Sequence, residues 1–496
     1  MNQGKKKYIL FILVTLILFG VTLITTNKFF FTGNFLFSST NSTNTDSPID
    51  PEEENYFKYS RMFSETYHIL KREFYDRRRV TARKLFYGAI RGMLESLNDP
   101  YTTFMDPSVT KEFKVDMDAK FGGLGIRIDV RDGWLTVISP MENTPAWRVG
   151  LKPNDKIIEI EGKSTKGITT EEAVTILRGA PGTKVTITIA RESMEPFEVT
   201  ITREEITIQT VRSDIIQYQN KKIAYIRISE FSMPTADDFA KHLRDMLNKN
   251  PDGIIIDLRH NPGGLLSVVI NCVDDFLEEG LIVYTRGRLQ ENNADYYANK
   301  RNTIVPADLP LVVMINQGSA SASEIFSGAM KDTGRGVVIG MKSFGKGSVQ
   351  KTYSFVEDGS LIKYTVANYY TPSGAVIERK GVEPDIEVKN WIEELSEKER
   401  VSLFKVQNTN FVSEFVKDKK MPSDTMLSRF QKELSDKGYE LPISAVRWLV
   451  INKIREAEMP KLYDLEFDNQ LSKSLTVITD YDKYKKTLRY YNAAKN

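Results

Sequence analysis

The chain has 496 residues, too many for one compact domain, and 41% of them are hydrophobic, enough for several cores. Its 68 basic and 66 acidic residues leave a net charge of +2, which excludes the strong basic excess expected of a nucleic-acid-binding protein. A single cysteine, Cys272, excludes an intrachain disulfide and a cysteine-rich metal site.

Lys5-Lys6-Lys7 precede an apolar run from Tyr8 to Ile24, and no charge appears before Lys28. That length can span a bilayer. Lysines in front of the span place the N-terminus in the cytoplasm and the rest of the chain on the far side. No Ala-x-Ala site follows, so residues 1–27 are expected to be an uncleaved cytoplasmic stub and transmembrane anchor. The remainder is then extracytoplasmic, on the periplasmic side of a cell membrane. Residues 28–54, rich in Ser, Thr and Asn and ending in Pro51-Glu-Glu-Glu54, read as a flexible linker.

Residues 55–115 read as an N-terminal helical region. Phe63, Tyr67, Leu70 and Phe74 recur at helical spacing, and Leu85, Ile90, Met93 and Leu94 make a second stripe. Arg77-Arg78-Arg79 reads as a solvated helix face. Residues 116–205 change to short strands and turns. Gly122-Gly123-Leu124-Gly125-Ile126 opens the segment, strands follow over 135–138, 156–160 and 184–189, and a helix over 171–177. This order, with Gly150-Leu151, Asp155 and Ile157, resembles a PDZ domain.

Residues 206–390 read as an α/β core. Ile254-Ile255-Ile256-Asp257 and Leu311-Val-Val-Met-Ile315 are buried strands, each running into a glycine turn and a helix. Residues 391–496 are charged and helical, and are expected to form an accessory domain without chemistry.

Two runs in the core carry the chemistry. Gly318-Ser319-Ala320-Ser321-Ala322-Ser323-Glu324 puts a serine at the mouth of a helix, where unpaired N–H groups favour negative charge. Ser321-Ala-Ser-Glu324 is also a capping box, and Ser319 and Ser323 are neighbouring candidates for the nucleophile. Phe344-Gly345-Lys346-Gly347-Ser348-Val349-Gln350 offers a lysine. With only three histidines in the chain the usual base is scarce, and a lysine in a water-poor site loses its charge readily. On a strand, Lys346, Ser348 and Gln350 would share a face, and Gln350 would orient the amine. Asp257-Leu-Arg-His-Asn-Pro-Gly263-Gly264 supplies a turn whose amides can hold an oxyanion beside that of Ala322. His260 in this turn is the rival base.

These three motifs resemble those of the carboxyl-terminal processing (tail-specific) serine proteases, and the resemblance covers about residues 55 to 390. It implies a crotonase/ClpP-like ββα superhelix core. It implies Ser321 as nucleophile, Lys346 as general base and Gln350 as the residue that positions the lysine. It also implies an oxyanion hole from Ala322 and one of Gly263 or Gly264. Gly123, Leu124, Gly125 and Ile126 are then expected to capture the carboxylate of a protein's C-terminal tail, with Arg178 sensing the bound tail. No metal or cofactor is required. The expected partners are proteins with exposed tails and the membrane, not nucleic acid. The helices before 115 or after 391 are candidates for holding a homodimer together, and a recruiting partner protein is compatible with the sequence. The rival functions are a catalytically silent PDZ adaptor and a crotonase-like acyl enzyme.

Overall fold

The computed structural model describes residues 51–486 other than 142, 193, 418–420 and 456–460. The expected anchor and all but the end of the expected linker lie outside the described residues. The last four residues assigned to the linker are already helical, in Pro51–Glu73. Among the described residues no helix is long and apolar enough to cross a membrane.

The described residues fall into two compact units that divide between Leu85 and Phe86. In the first, Pro51–Glu73 is followed by a single 3-10 turn, Arg77–Arg79, whose arginines are exposed. Phe63 and Phe74 of the apolar stripe are exposed, together with Tyr56, Phe57, Tyr59 and Met62.

The second unit begins within the helix Ala82–Glu95 and contains two larger bodies. Strands Lys120–Gly123 and Glu204–Thr207 pair antiparallel and form a stalk where the chain enters and leaves the PDZ segment. Between them, strands Ile126–Arg131, Trp134–Pro140, Lys156–Ile160, Lys184–Ala190 and Phe197–Thr202 form an antiparallel sheet. Leu124, Leu135, Val137, Ile157, Leu177, Val185, Ile187 and Ile189 fill its core.

The α/β body is built on a six-stranded sheet. Val211–Tyr218 and Lys221–Ile228 form a hairpin, and Gly253–Asp257, Leu311–Ile315, Val337–Gly340 and Ile386–Glu387 continue it in parallel. A parallel sheet needs cover on both faces, and side-chain alternation divides the work. Ile254, Ile256, Leu311, Val313 and Ile315 face the helices Thr235–Leu247, Leu266–Asp274 and Ala322–Asp332. Ile255, Val312, Met314, Val337 and Ile339 face Leu471, Leu475, Val477 and Ile478 of helix Asn469–Thr479. A second, mainly antiparallel sheet contains Leu281–Gly287, Ser348–Ser354 and Leu361–Tyr370, and Thr103–Met105 pairs with the last of these.

Two expectations are corrected here. Residues 103–105 are not helical but form a strand of the second sheet, paired with Leu361–Tyr370. The C-terminal region is not one accessory domain. Helices from Trp391 to Arg455 have their own core around Leu403, Phe430, Leu434 and Val446. The segment after 460 returns and covers the open face of the central sheet, because Ile255, Val312 and Met314 would otherwise lie in water.

At about 1.5–3 kcal/mol for each buried aliphatic side chain, the four residues of helix Asn469–Thr479 contribute about 6–12 kcal/mol. That is the size of a domain's whole stability, about 5–15 kcal/mol. A chain ending at residue 455 should therefore fail to fold. Leu475→Ala should cost about 2–5 kcal/mol, read as a lowered denaturant midpoint. Retention of the wild-type midpoint by either variant would contradict this packing.

Candidate active site

Ser321 stands at the N-terminus of helix Ala322–Asp332 with φ 53° and ψ −112°. This is glycine's region of backbone space, and holding a serine there costs on the order of 1–3 kcal/mol. The turn has a use: it lifts the side chain out of the helix cap. The Glu324 N–H goes to the Ser321 carbonyl oxygen at 2.9 Å, and the serine hydroxyl makes no cap hydrogen bond. In the returning arm of the capping box, the Ser321 N–H donates to Glu324 Oε2 at 2.8 Å.

The three candidate serines are told apart by what their hydroxyls hold. Ser319 Oγ donates to the Leu258 carbonyl at 2.8 Å, and Ser323 Oγ donates to the Asn261 carbonyl at 2.9 Å. Both serines have no exposed surface. They stitch the start of this helix to the 258–264 turn, which leaves Ser321 as the available hydroxyl.

Glu324 joins the serine to the lysine loop. Its carboxylate has no exposed surface. Oε1 accepts from the Ser343 hydroxyl at 2.6 Å and the Gly345 N–H at 2.7 Å. Oε2 accepts from the Lys346 N–H at 2.8 Å as well as from Ser321. Burial pushes the Glu324 pKa up, and these four hydrogen bonds oppose the rise.

Lys346 lies in a loop two residues before strand Ser348–Ser354, not on the strand. Its backbone is held by Glu324, and the Gly347 N–H by Glu378 Oε2 at 2.9 Å. Burial lowers the Lys346 pKa, the Lys363 charge lowers it further, and Glu378 and Glu324 oppose the change. The ammonium stands 4.8 Å from the centre of the Tyr101 ring. Among the described residues Lys346 Nζ and the Ser321 hydroxyl share no hydrogen bond.

The expected contact between Gln350 and Lys346 is not made. The two do not lie on one strand, and the Gln350 amide donates to Ser348, at 2.9 Å to Oγ and 3.1 Å to the carbonyl. His260 is also not placed as a base toward the serine. Its Nε2 accepts from the Asn316 amide at 2.9 Å, and burial followed by Arg227 and Arg259 lowers its pKa.

Gly263 packs directly against the serine turn. A Cβ on it would come within 2.7 Å of Ser321 Cβ and 2.9 Å of the Ala322 nitrogen, and its φ of 101° suits glycine. Its N–H is already donated to Asn261 Oδ1 at 2.9 Å. The amides of Ala322 and Gly264 make no hydrogen bond among the described residues, so in this arrangement they are the two available donors. Tyr101 and the wider role of Glu324 escaped the sequence reading. The Asn98-Asp99-Pro100 turn signal before Tyr101 was the available clue, but a turn signal does not say where the next ring will lie.

Comparisons with known proteins show the family of the chain. The peptidase family S41 profile matches residues 222–388, a PDZ domain profile residues 136–191, and the profile of the activating protease CtpB N-terminal domain residues 23–109. A carboxy-terminal-processing protease of Bartonella bacilliformis is 38% identical over 350 residues, 69% of this chain and 78% of that protein. This chain belongs to the carboxy-terminal processing proteases of peptidase family S41. The carboxy-terminal processing protease CtpB of Bacillus subtilis is 39% identical over 324 residues, 65% of this chain and 66% of that protein, just under two thirds of the relative's length.

The PDZ segment of this serine peptidase has a loop suited to a carboxylate. Leu124 is buried in the PDZ core. The Leu124 carbonyl accepts from the Ala146 N–H at 2.9 Å and the Gly125 carbonyl from the Met141 N–H at 2.8 Å. The N–H groups of Leu124 and Gly125 make no hydrogen bond among the described residues. Gly125 has φ 75°, and a Cβ there would strike Thr144. Gly123 belongs to the stalk and Ile126 begins the first PDZ strand. Arg178 caps helix Thr170–Leu177, and its guanidinium lies 4.7 Å from the centre of the Phe121 ring, beside this loop.

Glu324→Gln keeps the shape but puts an amide NH2 against at least one backbone N–H. It should cost about 1–3 kcal/mol of stability and most of the peptidase activity, measured by urea unfolding and by cleavage rate at a temperature where the variant is folded. Wild-type turnover in a folded Glu324→Gln variant would show that the carboxylate does not hold the site together.

Proposed function

We propose that this protein is a membrane-anchored, extracytoplasmic serine endopeptidase that binds the C-terminal tails of proteins through its PDZ domain and cuts them by a Ser-Lys mechanism. The observation that carries the reading is the single buried carboxylate on which the Ser321 and Lys346 amides meet. The apolar run at Tyr8–Ile24 behind three lysines supports the anchor and the side of the membrane. The unpaired Leu124 and Gly125 amides support carboxylate capture, while the tail would extend along the domain edge as an added strand.

In the proposed reaction the neutral Lys346 amine takes the Ser321 proton and Ser321 Oγ attacks the peptide carbonyl. The amides of Ala322 and Gly264 receive the oxyanion, with Gly263 as the alternative donor if its bond to Asn261 breaks. Lys346 returns the proton to the leaving amine, and water releases the acyl-enzyme. For this, the Lys346 amine must leave the Tyr101 ring and reach Ser321. Gln350 would exchange its bonds to Ser348 for one to the lysine. A tail on the PDZ loop is the natural trigger, with Arg178 as its sensor.

Cleavage of an unstructured protein with an apolar C-terminus should occur with the wild-type protein and vanish in Ser321→Ala and Lys346→Ala. Equal cleavage by all three would refute the assignment, and binding without cleavage by wild type would favour a silent adaptor. Arg178→Ala should slow cleavage of tailed substrates at least several-fold and leave any untailed cleavage unchanged. Equal loss on both substrates would remove its sensing role.

Only the neutral amine accepts a proton, so the rate should rise with pH through the Lys346 pKa, on a limb lying below that of an ordinary lysine. Lys363→Met removes a charge that lowers this pKa, so the limb should move to higher pH. An unmoved or down-shifted limb would assign it to another group.

A further inference from the structure

The motif that begins at Asp257 ends in the glycine turn against Ser321, and its third residue, Arg259, is held by Asp468 and Gln470. Asp257 has no exposed surface, and the Arg259 side chain is 9% exposed. Arg259 Nε donates to Asp257 Oδ1 at 3.0 Å, and NH2 to Asp257 Oδ2 at 2.7 Å. The other side of the guanidinium meets a second carboxylate. NH1 donates to Asp468 Oδ1 at 2.8 Å and NH2 to Asp468 Oδ2 at 2.7 Å. NH1 also donates to Gln470 Oε1 at 3.0 Å.

Those bonds use every N–H the guanidinium has. Tyr225 adds a hydroxyl bond to Asp257 Oδ2 at 2.6 Å. Both C-terminal partners are themselves fixed. Asp468 Oδ1 accepts from the Leu471 N–H at the start of helix Asn469–Thr479, and the Gln470 amide donates to the Val388 carbonyl at 2.7 Å. The arginine is thus gripped between the end of the central strand and a helix that the sheet itself holds in place.

We infer that Asp468, with Gln470, is a positioning residue for the active site: it acts through Arg259 to set the turn that presents the Gly263-Gly264 amides. This inference rests on the oxyanion role proposed for that turn. From the core side, the turn is held through Asn261, which bonds the Ile228 carbonyl, the Gly263 N–H and, through its own carbonyl, Ser323. From the other side the anchor is Arg259, four residues before Gly263. Removing charge from Asp468 leaves two guanidinium N–H groups facing a weaker acceptor and frees the arginine to tilt about Asp257. An oxyanion donor displaced by a fraction of an ångström loses most of its effect on the transition state and little on tail binding.

The test uses the full-length protein and compares Asp468→Asn with Leu475→Ala, which loosens the same helix without touching Arg259. Steady-state cleavage of the apolar-tailed protein is measured where both variants are folded, with hydrogen exchange of the 259–264 amides alongside. Asp468→Asn should lower kcat at least tenfold with KM within about twofold, and exchange in 259–264 should quicken. Leu475→Ala should keep kcat within about threefold and leave that exchange unchanged. Equal kcat losses in the two variants, or unaltered exchange in Asp468→Asn, would overturn the inference. If the wild-type protein shows no Ser321-dependent cleavage, the proposed function fails, and the exchange comparison alone then decides whether Asp468 sets the turn.

Discussion

A carboxylate without exposed surface must be satisfied from inside the protein, and Glu324 is satisfied by four donors. Three are backbone amides, so this one side chain fixes backbone in two places at once: the turn carrying Ser321 and the loop carrying Lys346. A neutral residue could not accept so many bonds, and an exposed one would have no need to. Ser321 and Lys346 come from separate parts of the chain, yet their main chains are fixed to one group. The Ser321 hydroxyl holds no cap bond, and the Lys346 ammonium rests on the Tyr101 ring.

The frame depends in turn on the central sheet. Its strands alternate apolar side chains to both faces, and different parts of the chain cover the two faces. The helices between the strands cover one face as they are made, in the usual manner of an α/β fold. The other face waits for the end of the chain. That division explains why the C-terminal hundred residues contain two different things: a helical body around its own core, and a strap that belongs to the sheet.

Local signals were legible. Leu311–Ile315 is a run of five apolar residues and is a strand over those residues. The PDZ strands and the helix Thr170–Leu177 follow the alternation and turn residues that predict them. The serine and glycine motifs were legible too, because close backbone approach leaves small residues in the sequence. Contacts over long separations were not. Asp468 reaches Arg259 across 209 positions, in a stretch whose charged composition looks like any solvated helix. Tyr101 was hidden for the same reason: nothing in its own neighbourhood points to Lys346. The shared face of Lys346 and Gln350 was misread for another reason: alternation was extended two residues ahead of the strand, which begins at Ser348.

The double grip on Arg259 has a consequence for the order in which the molecule is completed. The strand and turn that carry Asp257, Arg259 and Gly263 are made first, and the residues that close the guanidinium's second side follow 209 and 211 positions later. At about 5–20 residues per second of synthesis, that gap is about 10–40 s. Throughout it the arginine is paired on one side only, and one face of the central sheet is bare. A peptidase assembled in this order emerges with its site unfinished, and residues 468–470 are the part that finishes it.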